Sequence, residues 1–254
     1  MRIDDTAGVR TLTFDRPAVK NAFDASVARE LADALDAVSA EAFDAVVITG
    51  EGDAFSAGGD IQAMAEREET AREAYGRVRE TLGRVAEAVL SCPAPVVARV
   101  NGDAVGAGLS LVAACDFAYA AEEARFGASF VNVGLVPDMG GTVTLPRLVG
   151  LRTAKELAFT GELISATEAA ALDLVNDVVP SEELDDVVDD TVETLASRPS
   201  ETLALAKEAI HANLGRSWQA GLEREAHVQA LAYDTDAHRE GIAAFLEGRR
   251  PEFD

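Results

Sequence analysis

Three times the chain passes from an apolar strand run, through a turn of small residues, toward a helix, and this constrains its fold more than any other feature. The first passage is AVVIT at Ala45–Thr49, leading into AFSAGGDIQ at Ala54–Gln62. The second is PVVARV at Pro95–Val100, running on through RVNGDAVGAGLSL at Arg99–Leu111. The third is FGASFVNVGLVPDMGG at Phe126–Gly141. Short β-branched runs bounded by glycine read as buried strands. Strands separated by helices or long crossovers require a parallel or mixed sheet with helices outside it. The turns also aim free N–H groups out of helix starts, and glycine lets a ligand or a second backbone come close.

Taken singly, each turn fits plain packing about as well as function. Ala57-Gly58-Gly59 is a strand-to-helix turn with Asp60 near the helix start. Gly106-Ala107-Gly108 departs from GxGxxG and no P-loop lysine follows it, which argues against a nucleotide. In the third segment Asp138 precedes the helical stretch Thr142–Val149. An aspartate there either caps the helix or presents a carboxylate beside a cavity.

Around these segments, Val9–Phe14 has strand character and Asp24–Val38 helical periodicity. Arg72–Leu90 is expected as one long helix, stopped by Pro93 and Pro95. Leu111–Ala120 holds a helix end and then a strand, Asp116–Ala120. From about residue 150 the pattern is helical throughout: Leu151–Phe159, Ala166–Leu172, Ser181–Ala196, Glu201–Asn213, Gln219–Tyr233 and Ala237–Leu246. The division expected is an α/β core over residues 1–195 and a helical C-terminal region over 196–254.

Charge narrows the partners. The 45 acids against 22 Lys+Arg give a formal charge of -23. That field repels nucleic acid and anionic membranes, so neither is an expected partner. Lysine is scarce (Lys20, Lys155, Lys207) and the acids are dispersed, which points to a salt-rich cytoplasm. The start MRIDDTAGVR lacks the basic and apolar stretches of a signal peptide, and no apolar run spans a bilayer, so a cytoplasmic location is expected. Cys92 and Cys115 form no CxxC, and His211, His227 and His238 all fall in the helical tail. No metal, disulfide or Ser–His nucleophile is expected. Cys115 reads as a small buried hydrophobe and Trp218 as a packing anchor.

Order and spacing together carry a resemblance. RPxxxNAF at Arg16–Phe23, FSAGGDI at Phe55–Ile61, NGxAxGAG at Asn101–Gly108, FG at Phe126–Gly127 and GLxPDxGGTxxLPRLVG at Gly134–Gly150 are similar to the crotonase superfamily, the enoyl-CoA hydratases and isomerases. The ending FLEGRRPEF at Phe245–Phe253 is similar too, so the resemblance covers essentially the whole chain. It implies the crotonase fold, ββα turns building two sheets, with a helical trimerisation region and homotrimers or dimers of trimers. It also implies an acyl-CoA thioester as substrate, with no cofactor beyond coenzyme A itself. The -23 charge repels such a polyanion, so its site needs local arginines or screening salt.

The resemblance assigns the thioester oxygen to the backbone N–H groups of Gly59 and Ala107. Proton loss beside a thioester creates an enolate, and losing one fixed donor to its oxygen costs roughly 2.7–4 kcal/mol of barrier. Ala18, Val19, Ala57, Asp60 and Ile61 are expected along the CoA path, with Gly106, Ser110 and Phe130 near the acyl group. Arg249 or Arg250 is expected to reach a neighbouring subunit's phosphates. The two glutamates of typical hydratases fall at positions 110 and 130, where this chain has serine and phenylalanine. Water addition uses paired acid and base groups, which these cannot replace. Asp138 matches the single acid of certain isomerases of the superfamily. The expectation is an acyl-CoA isomerase with Asp138 as proton shuttle. A hydratase, another crotonase reaction such as thioester hydrolysis, and a non-catalytic acyl-CoA-binding subunit remain the alternatives.

Overall fold

The computed structural model of the protein describes residues 1–253. The first two apolar runs each become a strand, a corner and a second short strand, and Phe117–Ala121 with Arg125–Gly127 repeats the unit at the head of the third passage. In chain order the strands are β1 (Arg2–Thr6), β2 (Val9–Phe14), β3 (Ala45–Gly50), β4 (Ala54–Ser56), β5 (Val96–Val100), β6 (Asp103–Val105), β7 (Phe117–Ala121), β8 (Arg125–Gly127), β9 (Ile164–Ser165) and β10 (Asp177–Val179). The first strand of each unit joins a six-stranded sheet, β1-β2-β3-β5-β7-β10, and the second a four-stranded sheet, β4-β6-β8-β9. All neighbours are parallel except β1 with β2 and β8 with β9. This is the repeated ββα architecture that the resemblance implies. β1, RIDDT, was not expected from its polar sequence; its exposed residues are held by the backbone ladder with β2.

The chain turns from one sheet to the other where no side chain fits. A Cβ on Gly50 would lie 2.2 Å from the Ala54 carbonyl oxygen, and one on Gly102 2.2 Å from that of Asp53. Two asparagines tie the corners. Asn21 Nδ2 donates to the carbonyls of Ala54 (2.7 Å) and Glu51 (3.0 Å). Asn101 accepts from Gly50 N–H (3.1 Å) and donates to the Gly52 carbonyl (2.9 Å).

The helices are α1 (Ala25–Asp36), α2 (Ile61–Ala65), α3 (Ala71–Glu80), α4 (Leu82–Ser91), α5 (Ala107–Val112), α6 (Gly141–Leu148), α7 (Gly150–Thr160), α8 (Ala166–Ala171), α9 (Leu184–Ala196), α10 (Ser200–Asn213), α11 (Trp218–Tyr233) and α12 (Asp236–Glu247). Alternation along β3 and β5 sends Val46, Ile48, Val96 and Ala98 into the main core with α1 and α4. Val47 and Val97 point the other way, against Leu184 and Val188 of α9. In the main core the Phe14 ring meets Phe23 and Phe55 edge-on, at 5.0 and 5.8 Å. The last three helices bury little of themselves. Buried Lys207 of α10 ties them down through Asp116 at 2.6 Å.

One expected element is different. Arg72–Leu90 is not a single helix but α3 and α4, broken at Thr81 (φ −120°, ψ −90°). The apolar stripe that packs α4, Val85, Ala86, Ala88 and Val89, has no continuation in α3, which buries no residue. Core packing therefore holds α4 and leaves α3 free to take another direction.

The turns after β4 and β6 lie side by side because those strands are parallel neighbours. A Cβ on Gly58 (φ +85°) would stand 2.6 Å from the Val105 carbonyl oxygen and 3.2 Å from Ala107 N. On Gly108 it would stand 2.5 Å from the Ser56 carbonyl oxygen. Gly108→Ala is therefore expected to cost about 1–3 kcal/mol, since the clash is with backbone. In contrast a Cβ on Gly76, inside α3, meets nothing within 4 Å. Gly76→Ala is expected to stabilise by about 1 kcal/mol. Urea midpoints of the two variants check both signs.

Candidate active site

The residues of RPxxxNAF assemble the walls of the site. The Arg16 guanidinium donates to the Ala22 carbonyl (2.6 Å) and pairs with Asp60 (3.1 Å) and Asp24 (3.2 Å). Those two aspartates cap α2 and α1 respectively, so one arginine fixes where both helices begin. Asp60 is held below the usual carboxylate range by the Ala63 N–H and by Arg16. Phe23 then runs parallel to Gly59, donating to the Gly58 carbonyl (2.7 Å) and accepting from Asp60 N–H (2.8 Å).

Three of the N–H groups in the two turns are used to build them. Ala57 N–H donates to the Lys20 carbonyl, Gly58 N–H to Ser56 Oγ, and Gly106 N–H to the Gly127 carbonyl. Gly59 N–H and Ala107 N–H, like Gly108 N–H, have no protein acceptor among the described residues. Two donors left open at neighbouring strand ends are suited to an oxygen that gains negative charge.

Gly59 and Asp138 line the same cavity, of about 390 Å³. Asp138 reaches it from a tight turn. Met139 (φ +48°) and Gly140 (φ +81°) are both left-handed, and Met139 is buried, anchoring the turn. The aspartate does not cap α6: Gly140 is the cap residue, and Gly141 N–H donates to the Asp138 backbone carbonyl (2.9 Å). One carboxyl oxygen is buried without a hydrogen-bond partner. Burial pushes this carboxyl from 3.8 up to about 6, opposed by its own backbone N–H and by the Arg77 charge.

Two other carboxylates line the cavity, and both are committed elsewhere. Asp24 accepts from Ser26 and Val27 N–H and pairs with Arg16. Glu69 grips Arg77 and is lowered by it. Glu69, held low by its arginine, is a weak base.

The remaining predicted residues fall into two groups. Ala18, Val19, Ala57 and Ile61 are exposed near Gly59, while Asp60 is buried with its N–H donating to the Phe23 carbonyl. Ser110 and Phe130 are buried and do not line the cavity. The Ser110 hydroxyl has no partner, and Gly141 packs so closely that a Cβ there would come within 2.5 Å of it. The Phe130 ring faces Gly106. Arg249 pairs with Glu240 and Glu247 of its own chain. His211 contacts the Leu90 carbonyl and His238 the Tyr233 ring. Burial raises the Cys115 thiol.

Met64, Arg67, Glu69, Arg77 and Thr81 line the cavity without having been read from the sequence. The signal for the last three was available: a charged stretch without an apolar stripe, running into Thr81 just before Gly83.

The sequence profile of the family described as enoyl-CoA hydratase/isomerase matches residues 4–254. The chain belongs to that family. It is 40% identical over 256 residues to a probable enoyl-CoA hydratase of Rhodobacter capsulatus, covering 100% of this chain and 97% of that one. It is 33% identical to a trans-2-decenoyl-(acyl-carrier-protein) isomerase of Streptococcus mutans, covering 97% and 94%. A crystal structure of an enoyl-CoA hydratase from Mycobacterium smegmatis superposes with a TM-score of 0.92 at 37% identity, covering 99% and 98%. Enoyl-CoA hydratase/isomerase relatives thus share both fold and length with this chain.

Because the folded state holds a proton on Asp138 that the unfolded chain has lost, ionisation costs stability as pH rises from about 3.8 toward about 6. Asp138→Asn is therefore expected to match the parent near pH 3.5. Above about pH 7 it should be more stable by about 1–3 kcal/mol, at 1.36 kcal/mol per pKa unit. Denaturant titrations at the two pH values check this. A stabilisation that is the same at both would contradict it.

Proposed function

We propose that this enoyl-CoA hydratase/isomerase family member is an acyl-CoA isomerase with Asp138 as its proton shuttle. The observation carrying the proposal is a partly desolvated carboxyl group, one oxygen of it buried without a hydrogen-bond partner, in a cavity that it shares with Gly59. The thioester oxygen lies against Gly59 N–H and Ala107 N–H. The Asp138 carboxylate takes a proton from a carbon activated by the thioester, and the electron pair moves into an enolate. The double bond shifts, and the same proton returns to another carbon. No water is consumed, so one carboxyl group near neutrality suffices.

Many relatives are named hydratases, and the Rhodobacter protein is one of them. Positions 110 and 130, where the resemblance puts the two glutamates of typical hydratases, hold serine and phenylalanine here, and neither supplies a second acid or base. The Streptococcus relative is named an isomerase, which supports the reaction class without specifying the acyl group.

Assembly into trimers or dimers of trimers belongs to the same proposal. Trp218, Leu222, Phe245 and Leu246 of α11 and α12 are exposed and apolar, as an unsatisfied subunit face would be.

Two measurements test these statements. Incubation with a 3-enoyl-CoA is expected to give the 2-enoyl product, with kcat/KM rising through about pH 6. Asp138→Asn should lower kcat by at least about 10²-fold, the scale of a lost general base. Full activity in that variant, or faster water addition to crotonyl-CoA than isomerisation, would remove the shuttle. Light scattering after size exclusion should give three or six times the 26.7 kDa chain mass. A monomer would refute the assembly.

A further inference from the structure

Beside Asp24 and Asp138, three more ionic groups line the acyl cavity. Met64, Val78, Leu82 and Leu135 form much of the wall, yet Arg67, Glu69 and Arg77 line it too. Arg77 spends its guanidinium on Glu69, with contacts of 3.0 Å from Nε and 2.5 Å from Nη2. Arg67 is part-buried and follows α2 directly, its N–H donating to the Met64 carbonyl (3.2 Å). Its side chain makes no ion pair or hydrogen bond among the described residues. Glu69 feels both arginines, Arg77 more strongly. The trio therefore holds one positive charge without a counterion, in a chain whose formal charge is -23.

An arginine placed against apolar side chains gains most from an anion that its planar fork can bind in two places. Asp24 is held by Arg16 and Glu69 by Arg77; Asp138 keeps one oxygen without a partner, but among the described residues it forms no ion pair with Arg67, and the cation acting on it is Arg77. An anionic group on the ligand would give Arg67 the partner that it lacks among the described residues. A CoA phosphate lies a whole pantetheine arm away from the thioester, whereas the acyl chain starts there and extends into the cavity.

We propose that Arg67, beside the Glu69–Arg77 pair, is a specificity determinant that binds a carboxylate at the far end of the acyl chain. The substrates preferred are then thioesters of dicarboxylic acids rather than plain fatty acyl thioesters. The Glu69–Arg77 pair keeps Arg77 from competing for the same carboxylate and orients the loop that carries Arg67. The inference rests on the reading that this cavity receives the acyl group of a thioester, but it does not depend on Asp138 acting as a base.

The test is equilibrium binding of two unreactive probes of equal chain length, adipoyl-CoA and hexanoyl-CoA, by calorimetry at one fixed high salt concentration. Neither probe can isomerise, so the result is independent of the proton shuttle. The protein is expected to bind adipoyl-CoA about tenfold more tightly. Arg67→Gln should bring the ratio of the two affinities close to one, and Arg67→Lys should keep part of the preference. The Arg67 side chain makes no hydrogen bond or ion pair among the described residues, so its replacement is expected to leave the fold intact, which a circular dichroism melt checks. Equal binding of the two probes, or a preference that survives Arg67→Gln, overturns the proposal. An equal loss for both probes that disappears with the pantetheine thioesters assigns Arg67 to a CoA phosphate and overturns it as well. Failure of both probes to bind refutes the thioester site and this inference together.

Discussion

Two backbones packed against each other, with no side chain between them, are the constraint from which the site follows. Gly58 meets Val105 and Ala107, and Gly108 meets the Ser56 carbonyl, at distances that no Cβ tolerates. This contact is possible because β4 and β6 are parallel neighbours, so the turns after them emerge at the same end of one sheet. It is useful because Ala57, Gly58 and Gly106 N–H are taken up in building the turns while those of Gly59 and Ala107 are left without a protein acceptor among the described residues. An anion site made of backbone costs no reorganisation when charge develops on a ligand, since the donors are already fixed.

The same economy governs charge around the cavity. Of the three carboxylates that line it, two are tied to arginines and helix N–H groups, and those interactions hold walls in place. Asp138 is raised by a turn whose left-handed Met139 is anchored in the core, and its carboxyl group is left with burial as the dominant influence. A group kept near neutrality in this way is costly to the fold above its pKa and suited to moving protons. The break at Thr81 belongs here too. Because α3 lacks an apolar stripe, it is held near the cavity by Arg77, Val78 and Thr81 rather than by the core.

How much of this was legible depended on whether a position is governed by local or distant neighbours. The long strand runs β3 and β5 were readable from β-branched composition, and the glycine turns from their spacing. β4, β6 and β8 were not, because three residues carry no usable periodicity; they are strands only because each finds a parallel partner. The asparagines of RPxxxNAF and NGxAxGAG stood out as motif letters. Their work, closing the corners between the sheets, becomes visible only when residues some 30 to 50 apart meet. Arg67, Glu69 and Arg77 were not singled out; the charged stretch without an apolar stripe signals only a segment outside the core, and the cavity they line is formed by distant segments.

By itself the sequence determined which backbone segments could come close to one another, since glycine at 58, 102 and 108 removes the only atom that would forbid it. It also determined that positions 110 and 130 carry no acid, which is a matter of covalent identity. What only the tertiary structure decided is where Asp138 spends its charge. A helix cap and a cavity carboxylate are written with the same residue, before the same helix. Gly140 takes the cap position and the Asp138 backbone, not its side chain, receives the Gly141 N–H. That leaves the carboxyl group to the cavity, an outcome set by the left-handed turn and the packing beneath it.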